Sequence, residues 1–198
     1  MAQNNIKHYT SKSQSGFALL MTLVVVSVII SIGVSVLDLS VKQVRLSTNA
    51  KESEAAFHAA NAGMECARTI RRTSSTTMES GGSITPRCFG VTTFSNTRSP
   101  ISSGINGTIT QYTYDFSWGT KPHCSRISTI VMAASPQGAG LSLSNIPSIA
   151  YMDGYPTNAA KTCAAGESCT ILASRGYNRS CSTATGYGSV ERKVLLQF

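Results

Sequence analysis

Residues Phe17 to Leu37, FALLMTLVVVSVIISIGVSVL, form a run of twenty-one without a formal charge. At ~1.5 Å of rise per residue such a run spans the ~30 Å hydrocarbon core of a bilayer, whereas the apolar part of a secretory signal is usually ~7–15 residues. The next residues, Asp38-Leu-Ser-Val-Lys-Gln-Val-Arg45, continue with helical rhythm and offer no small-x-small cleavage site. The preceding residues carry Lys7 and Lys12 and no acid, so the positive-inside rule leaves the N-terminus in the cytoplasm and exports the chain beyond Leu37. These features imply a single-pass anchor in the inner or cytoplasmic membrane with an extracytoplasmic head.

The apolar run extends into a longer amphipathic pattern. Leu37, Val41, Val44, Thr48, Ala55, Ala59, Ala62, Cys66 and Ile70 recur at three- or four-residue steps, with a slip around Lys51. One face of a helix reaching about Arg72 can therefore pack on a head domain. The alternative is a membrane helix followed by a separate short helix. After Arg72, TSSTTMESGGSITP has the Ser, Thr, Gly and Pro content that stops a helix and builds a loop.

Beyond that loop the period becomes two. Tyr112, Tyr114, Phe116 and Trp118 share one face of a strand, and Gln111, Thr113, Asp115 and Ser117 share the other. Ile127 to Met132, Cys169 to Ser174 and Val190 to Phe198 are further strand candidates, and RCFGVTTF is another. The expected fold class is α+β: a long N-terminal helix, membrane anchor plus stalk, packed on a small antiparallel sheet of about four strands. The aromatic face reads as core, because a small sheet must bury one side. Ala134 to Cys163, with its prolines and glycines, exceeds an ordinary connection and reads as an exposed variable region.

All six cysteines, Cys66, Cys88, Cys124, Cys163, Cys169 and Cys181, lie beyond the apolar run and would share the oxidising side of the membrane. Six cysteines permit fifteen pairings; position suggests Cys66–Cys88, Cys124–Cys181 and Cys163–Cys169. A zinc site at His123-Cys124 lacks the paired C-x₂₋₄-C spacing of structural centres. No cofactor or metal is expected. An enzyme is not expected either: of three histidines, His8 precedes the run and His58 lies on the helix, leaving His123, and the carboxylates of the head are dispersed. There is no G-x-S-x-G elbow, phosphate loop or H-E-x-x-H helix.

A short basic leader ending in Gly16, followed by Phe17 and FALLMTLVVVSVIISIG, resembles the class III leader and N-terminal helix of type IV pilins and pseudopilins. Glu52 to Ala67, ESEAAFHAANAGMECA, is similar to the Ala/Gly-rich helix end of the minor-pilin branch. ASRGYNRSC and VERKVLLQF bear a loose likeness to some pilin C-termini. The resemblance implies cleavage between Gly16 and Phe17 by a prepilin peptidase, N-methylation of Phe17, and assembly with other pilin subunits by pilus machinery into a cell-surface filament, or fimbrium. The implied divisions are a leader at 1–16, a transmembrane and filament-core helix half at 17–37, an amphipathic half at 38–72 and a disulfide-bonded, β-rich head at 73–198. Most major pilins carry glutamate at the fifth position after the cut; here it is Met21, which points to a minor subunit at a tip or start of a filament. The helix-kinking proline of major pilins is also missing, since no proline lies between Phe17 and Thr85. A membrane-anchored adhesion or binding module that never polymerises is the alternative.

The chain carries a formal charge of +8, which becomes +6 without Lys7 and Lys12. Arg68, Arg71, Arg72, Arg175, Arg179 and Arg192 could form a basic patch for DNA or a surface polyanion. The plainer alternative is a set of dispersed, solvated charges.

Overall fold

A computed structural model describes residues 15–90, 95–120, 122–156 and 160–198. The leader with Lys7, Lys12 and His8, apart from its last two residues, lies outside the described residues, as does part of RCFGVTTF. The chain divides into two compact units, Met1–Thr48 and Asn49–Phe198. The division falls inside helix α1, Ser15–Thr73, which runs without a break through Gly33. The helix begins to bury side chains beyond Lys51.

In the second unit the helix meets a five-stranded antiparallel sheet in the order β1-β2-β3-β6-β7. Its strands are β1 Ser95–Gly104, β2 Gly107–Trp118, β3 His123–Ala134, β6 Ser168–Tyr177 and β7 Glu191–Gln197. β4 Leu141–Leu143 and β5 Lys161–Cys163 form a separate pair. The Tyr112–Trp118 alternation falls on β2, and the three later strand candidates fall on β3, β6 and β7. β1 is an addition to them. It is polar, exposed along its whole length and broken in register between Pro100 and Ser102. Proline and exposure suit an edge strand.

On the helix-facing side, Met64, Ala67 and Ile70 pack with Tyr112, Tyr114, Phe116, Ile127, Val131 and Leu172. Helix and sheet approach closely because the residues between them are small. Ala56, Ala59, Ala60 and Gly63 face Ser125, Ser174 and Gly176. The hydroxyl of Ser125 donates to the carbonyl of Ala59 at 2.7 Å and accepts from Trp118 Nε1 at 3.0 Å. No oil-like filler is needed where backbones nearly touch; a polar hydroxyl satisfies the contact.

The stretch after α1 is not all loop. Ser75–Glu79 forms a short helix, α2, that buries Met78. Tyr112 ties the following turn down by donating its phenol hydrogen to the carbonyl of Gly82 at 2.9 Å. Burial pushes the ionisation of Tyr112 and Tyr114 upward, so both stay neutral.

The segment from Ala134 to Cys163 corrects an expectation. Its described residues lie over the distal face of the sheet, held by buried anchors between residues that stay exposed. Leu143, Ile146, Met152 and Tyr155 are buried against Ile109, Ile130, Met132 and Ile171 in a second core. Each fully buried side chain of this size contributes ~1.5–3 kcal/mol. The polar faces of β2 and β3 therefore carry apolar residues at one end, which requires a cover. The head has three layers: helix, sheet and this long segment.

The disulfides are Cys66–Cys88, Cys124–Cys181 and Cys163–Cys169, with Cα separations of 5.7, 4.7 and 5.8 Å. They are the pairs suggested by position. Cys163 and Cys169 also lie near Glu167, but sulfurs bonded to each other cannot serve as thiolate metal ligands.

Candidate functional site

In the first unit an uncharged run, Phe17 to Leu37, is followed by a mixed stretch in which Lys42 pairs with Asp38 at 2.8 Å. Every side chain from Phe17 to Leu46 is exposed, and large apolar ones, from Phe17, Leu19 and Leu20 to Val44 and Leu46, point to all sides of the helix. Among the described residues this is the helix long and apolar enough to cross a membrane. Four of its hydroxyls are provided for without water. Thr22 and Ser27 donate to the carbonyls of Leu19 and Val24 at 2.8 Å, and Ser35 and Ser40 donate to Ser31 and Val36 at 2.9 Å. Such back-bonding lets serine and threonine enter hydrocarbon without an unsatisfied proton. Nothing stands within 4 Å of a side-chain carbon built on Gly16, and Met21 is exposed among the apolar residues. A long apolar anchor and a disulfide-bonded head together place the head on the oxidising side of a membrane.

The six arginines do not converge. Arg68 pairs with Glu65 at 3.0 Å, one turn before the exposed Arg72. Arg192 instead donates to Ser53 at 2.8 Å. Ser53 and Arg68 are separated along α1 by about 22 Å at ~1.5 Å per residue. Arg179 is exposed in the loop between β6 and β7. Arg71 and Arg175 are drawn out of any surface patch by ion pairs. Arg71 is 8% exposed and donates to Glu79 at 2.6 Å, Ser168 at 2.7 Å and Thr170 at 2.9 Å. Its hydrogen bond holds the Glu79 carboxyl below the usual range, helped by Ser168 and opposed by burial. Arg175 meets Asp153. The physical reason is common to both: a guanidinium near a core must be paired or expelled.

Arg175 belongs to a row of charges on the distal face. Register places Ser95, Asp115, Arg126, Arg175 and Lys193 side by side across all five strands. Arg126 donates to Asp115 at 3.1 Å, and Lys193 pairs with Asp153 at 2.6 Å and with Glu191 at 3.2 Å. The guanidiniums of Arg126 and Arg175 each lie 5.5 Å from the centre of the Tyr151 ring. Neighbouring like charges on adjacent strands repel, and here the carboxylates and the ring offset that repulsion. A small polar cavity of about 70 Å³ opens beside Asp115, Arg126 and Tyr151. Sequence reasoning placed Asp115 on the outward face of its strand but missed the cavity, since Tyr151 comes from the distant covering segment.

A second cleft, of about 300 Å³, brings His58 and His123 together with Lys51, Glu54, Ala55 and Trp118. Glu54 lies 3.6 Å from His58 on the same helix. This is an exposed cleft with an apolar floor. Comparison of the chain with protein-family models, with curated proteins and with solved structures finds no match in any of the three.

Proposed function

We propose that the chain is a structural, minor pilin-like subunit of a type IV pilus or a related secretion or DNA-uptake filament. In this reading the leader is cut after Gly16, Phe17 is N-methylated, and the N-terminal helix passes from the inner membrane into a bundle of neighbouring helices. The observation that carries the proposal is the segment from Phe17 to Leu37, uncharged throughout and with its large apolar side chains exposed. Lipid tails and neighbouring helices are both apolar, so the same surface can serve before and after assembly. The resemblance of the leader and helix supplies the processing machinery.

Intact-mass measurement on envelope and sheared-filament fractions tests the reading. A processed, methylated chain beginning at Phe17 in the sheared fraction is the expected result. Gly16→Leu should leave a longer, unmethylated chain in the membrane and none in filaments; normal processing of that variant refutes the leader assignment.

Met21 favours a second reading, a membrane-retained binding or adhesion module that does not polymerise. A glutamate at that place would link successive subunits, and methionine cannot form such a charge pair. That reading predicts no chain in sheared filaments.

A further inference from the structure

We propose that the cavity between β1, β2, β3 and Tyr151 is a binding site for a neutral vicinal diol, the chemistry presented by the edge of a sugar ring. The site is independent of whether the chain polymerises, because every residue in it belongs to the head.

Its floor is an ion pair that is only half used. Arg126 Nε and Nη2 both donate to the same carboxylate oxygen, Asp115 Oδ2, at 3.4 and 3.1 Å. Among the described residues, Asp115 Oδ1 and Arg126 Nη1 make no hydrogen bond. The carboxylate and the guanidinium that line the cavity can thus supply an acceptor beside a donor, both charge-assisted. Two adjacent hydroxyls match that arrangement: one donates to the carboxylate and its neighbour accepts from the guanidinium. Ser95, Thr97 and Thr113 line the same cavity with hydroxyls that can act in either sense.

Its wall is an aromatic ring held in place. Tyr151 has φ +65°, in the left-handed region that a tyrosine rarely adopts. Arg126 and Arg175 both approach the ring, and Asp153, two residues on, is paired to Arg175 and Lys193. Tyr151 as a residue is 40% exposed, so the segment that carries it stands open to solvent beside the cavity. A wall fixed before binding reduces the ordering cost of binding.

Charge and size select the ligand class. Asp115 in the floor opposes an anion and Arg126 opposes a cation, so a neutral group with both donors and acceptors fits best. At about 70 Å³ the cavity holds a few water-sized groups, enough for two hydroxyls and their carbons but not a whole ring. The ring body would remain outside the cavity, and affinity for a single sugar would be on the order of millimolar.

The test is saturation-transfer NMR on the full chain in a micelle of sugar-free zwitterionic detergent. The probes are methyl α-mannopyranoside, methyl β-galactopyranoside and, as an anionic control, N-acetylneuraminic acid. Transfer to the ring protons of at least one neutral probe is expected, falling about three- to tenfold in Asp115→Asn and in Thr97→Val. Thr97 lies on the exposed edge strand away from the ion pair, so its variant keeps the test valid if Asp115→Asn loosens the fold. The proposal is overturned if neither neutral probe receives saturation, if both variants bind as the parent does, or if the anionic probe alone binds.

Discussion

Gly176 on β6 and Ala59 on α1 are in backbone contact: a side-chain carbon at Gly176 would stand 2.7 Å from the carbonyl carbon of Ala59 and would overlap Ala56 and Ala60 as well. The helix can sit this low on the sheet because neither partner carries bulk at the crossing.

Gly176→Ala should therefore destabilise the head by about 1–3 kcal/mol through overpacking against backbone. Gly63 is the softer neighbour, since a carbon there meets the Ser174 hydroxyl and then Ser125 Cβ at 3.2 Å. Gly63→Ala combined with Ser174→Ala should recover much of the loss caused by Gly63→Ala alone, whereas Ser174→Ala should give no relief to Gly176→Ala. Denaturant unfolding of the single and double variants measures both; equal relief for the two glycines would contradict the described crossing.

The Arg71–Glu79 pair sets an acid limit. Because the Glu79 carboxyl is held below its ordinary value of 4.5, its contribution to stability is complete above about that pH. The contribution is lost as pH falls through the depressed folded value. Glu79→Gln should flatten the stability profile in that window, and Arg71→Met should cost ~2 kcal/mol at neutral pH by removing charge-assisted bonds. Unfolding curves between pH 7 and pH 3 decide it; an unchanged profile in Glu79→Gln would show that other carboxylates dominate.

Disulfide removal should track loop size. With separations of 22, 57 and 6 residues, chain entropy assigns roughly 3, 4 and 2 kcal/mol to Cys66–Cys88, Cys124–Cys181 and Cys163–Cys169. Paired Cys→Ser replacements should rank accordingly in thermal unfolding, and the untreated chain should resist alkylation at all six positions. A largest loss at Cys163–Cys169 would mean that local packing, not loop closure, governs the ranking.

The anchor segment gives the sharpest functional contrast. Val28→Lys should impair membrane retention by ~2.5–3.5 kcal/mol on insertion scales and block filament incorporation through an unpaired ammonium. Met21→Glu should leave the amount in sheared filaments unchanged or lower if the chain is a tip or initiating subunit. A large rise along the whole shaft would make it an ordinary shaft subunit that had lost an assembly contact.

The helix and β2 were legible in the sequence because each repeats one chemistry at one period, as Tyr112, Tyr114 and Phe116 do on alternate positions. β1 was not, since SNTRSPISSG has no apolar alternation; its pairing with β2 is made by backbone groups that any sequence carries. The covering segment was hidden for another reason. Leu143, Ile146, Met152 and Tyr155 are single anchors at irregular intervals, and only the sheet beneath them reveals that they share a face. The cavity beside Tyr151 joins residues from three strands and that segment, so no local pattern announced it. Arg71 and Arg175 looked like surface charges because sequence distance separates them from Glu79 and Asp153.

Pro100 and the register break beside it make β1 a poor template for a further strand. With the central strands β2, β3 and β6 buried between two cores, an approaching strand from another chain would find its opening at an edge. On the β1 side it meets a polar strand with Arg98, a proline that has no amide hydrogen to offer, and a ladder already out of step. Heads crowded together at a membrane would thus collide side by side without zipping into a continuous sheet through this edge.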